Sequence, residues 1–479
     1  MTDTSGDDVL LVSWRRIQQL ARDHARDDSK YAVLPLIFLK SLYDQTVQPA
    51  APEGGSALPL QVRDGDRFGQ LVRGFWEMDH DQRLEQRLDE VLRELARRIP
   101  SLADIGDVNG DFFGHMMAGN ADERHEFLVR VMHIIKSVPC RLSPTADRSH
   151  PFDVFLDKYA SLPGQSSGIG HCPHGVAELL TEIVDPRPGE RIYHPGCGFG
   201  DILLPLLHRT QGSFVAAQEA QGRTRMLGAM RLALHGFPQV RIAAGNLPHA
   251  SHDHYDAIIA DLSRLWDLRK RDDPAPLPGI FRAIDPRTGA DQLRAICTSI
   301  DFLAAHHGRA ALLIPHGPLF RQGPFREMRR VLLAENLLDA IIGLPSGILH
   351  ATKIPVAVLV IKNTRKTGVP ITVMDASGAY LDGRFQNVLR PDVENARIID
   401  AYRQRRHIAG FCRQVSPDEI HDNDELFSPS VYIPTRALPE PPIAAIEDLT
   451  RDIADIDQRL AAIIEQRQKL FATDLYDTI

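Results

Sequence analysis

At 479 residues, with 43% hydrophobic and 25% charged residues, the chain has the make-up of an ordinary globular protein of about two or three domains. No uninterrupted apolar run approaches the roughly 20 residues that span a bilayer, and the acidic start Met1-Thr2-Asp3-Thr4-Ser5-Gly6-Asp7-Asp8 is unlike a signal peptide, so a cytoplasmic protein with no membrane partner is expected. A net charge of −8 excludes a grip on DNA by bulk electrostatics, and five scattered cysteines without a CxxC pair suggest neither a disulfide framework nor a zinc site.

Residues 1 to about 150 read as mostly helical: 33–43 is an apolar core segment, 81–98 repeats apolar residues at helical spacing, and 50–57 is a loop. From Val176 the pattern alternates. A helix at 176–184 leads to a short strand at 191–193, a helix at 202–207 and a strand at 214–217. Another helix runs to His235-Gly236, followed by strands at 240–242 and 255–260. Apolar strands at 309–314, 338–342 and 356–361 follow, each preceded by a helical pattern. Such alternation predicts an α/β fold with a mostly parallel, doubly wound sheet whose strands are buried on both faces.

Beyond Asp375 the pattern loosens, with loops and a helix across 386–440. An amphipathic helix at 443–471 (Ile446, Leu449, Ile453, Ile456, Leu460, Ile463, Ile464 and Leu470 in its seam) suits either a partner or the chain's own N-terminal helices. The expected domains are a helical one at 1–150, a catalytic-type α/β domain at 151–385 and a docking region at 386–479. The basic clusters at 269–271, 326–330 and 403–406 read as solvated helix faces. His249, His252, His254, His306 and His307 read as surface histidines, and no metal site is expected.

The first strand of the α/β region ends in His194-Pro195-Gly196-Cys197-Gly198-Phe199-Gly200. A glycine loop there lets a ligand approach the backbone beside a helix N-terminus. The dinucleotide fingerprint GxGxxG fails because Asp201 takes its final place, and glycines at 196, 198 and 200 are instead the S-adenosylmethionine-binding variant. Glu219, nineteen residues after Gly200 at the end of the second strand, is placed to accept from ribose hydroxyls, and Asn246 after the third strand to meet adenine. Where catalysis should sit the chain has Asp261-Leu262-Ser263-Arg264.

These residues resemble the modification subunit of type I restriction–modification systems, an adenine-N6 DNA methyltransferase family, over nearly the whole length. The family's Asp-Pro-Ala-Cys-Gly-Thr-Gly is similar to 194–200, and its Gly-Gln-Phe-Tyr-Thr-Pro to Gly168-Ile169-Gly170-His171-Cys172-Pro173 at the ends. Gln218-Glu219, Leu234-His235-Gly236, 308–320, Leu344-Pro345-Ser346-Gly347-Ile348 through Thr352-Lys353-Ile354-Pro355, Asp375-Ala376 and 426–432 also match. The resemblance implies a Rossmann-like class I methyltransferase domain that would hold S-adenosylmethionine through Cys172, Pro173, His194, Gly196, Gly198, Gly200, Glu219 and Asn246. It implies DNA, a sequence-reading specificity subunit, a restriction or translocase subunit and a second methyltransferase-like subunit as partners in phage defence.

The departures cluster in the site. His194 and Asn246 replace aspartates, Phe199 and Cys172 replace threonines, and Asp261-Leu262-Ser263-Arg264 stands at Asn-Pro-Pro-Phe. In that motif a side-chain oxygen and a backbone carbonyl accept from the adenine amino group, the prolines fix the backbone and the ring stacks on the flipped base. Asp261 retains an acceptor, whereas Ser263 and Arg264 supply neither rigidity nor an aromatic ring; Trp266 is the nearest substitute. The expectation is a catalytically degenerate scaffold or DNA-recognition component. The alternative is an active S-adenosylmethionine-dependent DNA adenine-N6 methyltransferase with a divergent motif. A third class is a methyltransferase for proteins or small molecules, or a nucleotide-binding Rossmann protein.

Overall fold

The computed structural model describes residues 6–24, 28–47, 67–77, 84–99, 102, 119–140, 150–162, 171–210, 213–245, 254–263, 277–285, 290–350, 352–383 and 386–434. Among the described residues six helices come first: α1 (Gly6–Asp23), α2 (Lys30–Val47), α3 (Arg67–Glu77), α4 (Leu84–Arg98), α5 (Ala121–Ile135) and α6 (Pro151–Ala160). α2 is apolar around most of its circumference, and such a helix has to be enclosed. Val33, Leu34 and 36–39 are fully buried, as the apolar segment predicted. Asn120 starts α5 with a capping box: its side chain accepts from the Glu123 amide, and Glu123 accepts from the Asn120 amide.

The α/β part follows as α7 (His174–Val184), β1 (Arg191–His194), α8 (Leu203–Arg209), β2 (Phe214–Glu219), α9 (Gly222–Leu234), β3 (Ile242–Ala244) and β4 (Ala257–Asp261). Then come α10 (Ala290–Asp301), β5 (Arg309–Pro315), α11 (Pro324–Ala334), β6 (Leu338–Gly343), β7 (Val356–Lys362), β8 (Ile371–Asp375), α12 (Ala396–Arg403) and β9 (Cys412–Val415). The sheet order is β3-β2-β1-β4-β5-β7-β6-β8-β9. Strands from β3 to β5 are parallel, β7 runs antiparallel between β5 and β6, and β9 is antiparallel to β8.

Side chains alternate between two cores. Ile192, Ile259 and Leu313 join the core shared with the N-terminal helices, whereas Tyr193, Ile258 and Leu312 join the core on the opposite face. The sheet is thus covered on both sides, as its continuous apolar strands require. Among the described residues no helix is long and apolar enough to cross a membrane. The helix expected at 443–471 lies outside them.

Three expectations need correction. The third strand starts at Ile242 rather than Val240, because the Val240 amide donates back to the Phe237 carbonyl in a turn. The fourth starts at Ala257, with Tyr255 making an isolated bridge to Leu303. The basic cluster at 326–330 is only partly a solvated face, whereas Arg403 and Arg406 are exposed as expected and make surface ion pairs. Arg329 is fully buried and donates to the carbonyls of Glu425, Pro318 and Arg321. Arg326 and Arg330 pair with Glu425, Arg403 with Glu182, Arg405 with Asp339 and Arg406 with Asp400.

The start of α7 is pinned by the segment that precedes α12. Asn395 donates from its side chain to the Gly175 carbonyl at 2.7 Å. A Cβ on Gly175 would stand 1.8 Å from the Leu389 carbonyl oxygen, a backbone atom that cannot rotate away. Gly175→Ala is therefore expected to destabilise the fold by about 2–3 kcal/mol, the cost of overpacking, and chemical denaturation would read it.

Candidate functional site

The site grows from the end of β1. Gly196, Gly198 and Gly200 all have positive φ (60°, 57° and 82°), backbone that other residues rarely adopt, so the glycine spacing is a conformational requirement. The loop is tied to β2: the Cys197 amide donates to the Gln218 carbonyl at 2.8 Å and the Gly198 amide to Glu219 Oε2 at 2.9 Å. α9 presses on it from below, since a Cβ on Gly228 would lie 3.0 Å from the Gly198 carbonyl.

Glu219 is buried, and burial raises its carboxyl above the usual range. The Gln221 amide donates to its second oxygen at 2.9 Å, so each oxygen accepts one backbone amide and keeps acceptor capacity. The first turn of α2 reaches the same place from far away in sequence. Lys30 Nζ lies 5.7 Å from the Phe199 ring centroid, and burial lowers its pKa to about 8. Tyr31 is hydrogen-bonded to Thr224 beside Glu219, with the Arg223 guanidinium 5.4 Å over its ring.

Behind the loop lies a buried polar chain. Arg231 of α9, with no exposed surface, donates to Asp153 of α6 at 2.6 Å, to Asp201 and to the Phe199 carbonyl at 3.3 Å. Asp201 accepts from the Cys172 amide at 2.9 Å and from His171 Nδ1 at 2.6 Å, and His171 Nε2 reaches Asp157 at 2.9 Å. Burial opposes the His171 charge, but Asp201 and Asp157 outweigh it and raise the pKa above the usual imidazole value. His171 stacks on His350, ring centroids 4.8 Å apart.

His194 is different. It is fully enclosed, its Nδ1–H donates to the Ile259 carbonyl at 2.7 Å, and burial lowers its pKa to about 4. An uncharged imidazole therefore stands where an aspartate was expected to be replaced. His150, which caps α6 by accepting the Phe152 amide and donates to Ser41, is likewise held neutral with a pKa of about 4.

Asp261 closes β4. Its Oδ1 accepts from both the amide and the hydroxyl of Ser263, a turn closed on itself. The intervening Leu262 is completely buried in the second core, and its amide donates to the Leu313 carbonyl at 2.8 Å, carrying the β4–β5 pairing one bond beyond the strand. Arg264, Trp266 and Asn246 lie outside the described residues.

The structure thus joins Gly198 to Glu219 directly and Cys172 to the loop through Asp201, with Pro173 leading into α7. His194 is bonded to β4 two residues before Asp261. Lys30, Tyr31, Asp153, Asp157 and Arg231 were not anticipated. The one sequence signal for them was Asp201 in a position where a glycine would be ordinary.

Sheet order, the antiparallel β7 and the glycine loop after β1 define a Rossmann-like class I methyltransferase fold. Residues 148–440, more than half the chain, match the model of the N-6 DNA methylase family, and the chain belongs to that family. It is 24% identical over 354 residues to the type I restriction enzyme MpnII methylase subunit of Mycoplasma pneumoniae, an alignment covering 68% of this chain and 62% of the relative. It is 23% identical to the HindI methylase subunit of Haemophilus influenzae, with 69% of this chain and 76% of the relative covered. The chain therefore spans less than two thirds of the first and about three quarters of the second. The type I restriction–modification methyltransferase subunit of Streptococcus thermophilus shares the fold, with a TM-score of 0.63 at 20% identity over 89% of this chain and 100% of the other.

Two outcomes are expected. Arg231→Met leaves Asp153 and Asp201 buried beside an apolar side chain and should cost about 3–5 kcal/mol in denaturant unfolding. His150 and His194 are neutral in the fold but bind protons once unfolded, so from about pH 6.5 down towards pH 4 the unfolded state takes up more protons and stability falls. Each should contribute on the order of 2–3 kcal/mol to that loss. His194→Gln should flatten the dependence of the unfolding midpoint on pH over this window.

Proposed function

We propose that the chain is a catalytically degenerate methyltransferase subunit of the type I restriction–modification kind, acting as a DNA-associated scaffold or recognition component of a cytoplasmic phage-defence complex. The carrying observation is the amide of Leu262 donating to the Leu313 carbonyl. A proline has no N–H and cannot make that bond. The position that would give a base clamp its rigidity instead extends a strand and sends a leucine into the core. Ser263 further holds the Asp261 oxygen that would have accepted from an adenine amino group.

The names of the relatives, methylase subunits of type I restriction enzymes, support DNA and a sequence-specificity subunit as partners. A restriction or translocase subunit and a second methyltransferase-like subunit complete the set we propose, with 443–471 as the docking segment. The donor set around the loop suits the nucleoside half of S-adenosylmethionine, through Glu219 and the glycine backbone.

The alternative, an active enzyme with a divergent motif, is favoured by one observation: Asp261 remains partly exposed at the end of β4, next to β5 in the sheet. Labelled methyl transfer from S-adenosylmethionine to duplex DNA, measured on the chain with its specificity partner, separates the two. No incorporation is expected. Incorporation into adenine that is abolished by Asp261→Ala would establish the alternative.

A further inference from the structure

We draw no further inference here: the strongest candidate, the groove between α7 and α12 lined by Glu178, Glu182, Asn395, Asp400 and Arg403, carries nothing because Glu182 is already paired with Arg209 and Arg403 and Asp400 with Arg406, and nothing in the structure shows what would occupy it.

Discussion

The side chain of Arg231 is the contact on which the rest is built. It lies fully enclosed between Asp153, on the last of the N-terminal helices, and Asp201, at the end of the glycine loop. A guanidinium in such a place is tolerable only when its planar donors meet fixed acceptors, and Asp153, Asp201 and the Phe199 carbonyl supply them. The consequence is mechanical. The N-terminal helices cannot move relative to the loop without stripping a buried charge of its partners. His171, Asp157 and the Cys172 amide extend the same chain to the segment before α7, so the site is a rigid joint between distant parts of the sequence.

That rigidity separates scaffold from chemistry. The glycine φ values, the Glu219 anchors and the sheet order remain those of a methyltransferase. The end of β4 is shaped separately, by a turn closed by Ser263 and a buried Leu262 whose amide continues the β4–β5 pairing. The two cores and the Arg231 joint hold this architecture together, and Leu262 contributes to the second of those cores.

Much of this was legible in the chain itself. The alternating glycines, Glu219 at the end of the second strand and the apolar strands from 309 onward all lie where periodicity and spacing put them. The rest was hidden for identifiable reasons. Val240 has a strand former's side chain, yet its amide is claimed by a turn. β8 and β9 pair across an intervening helix, so no local pattern announces the ladder. Arg329, in the middle of a basic cluster, looks like part of a wet surface until its buried carbonyl partners are seen. Arg231 and Asp153 are 78 residues apart, and Lys30 reaches Phe199 across a still longer stretch, distances over which helix and strand periods carry no information.

The amide of Leu262 also limits what position 262 can hold. With that N–H in the sheet and the side chain in the core, a proline there would break a strand bond and leave part of the packing empty in one stroke. A single change of this kind is uphill in folding stability unless the surrounding positions change with it.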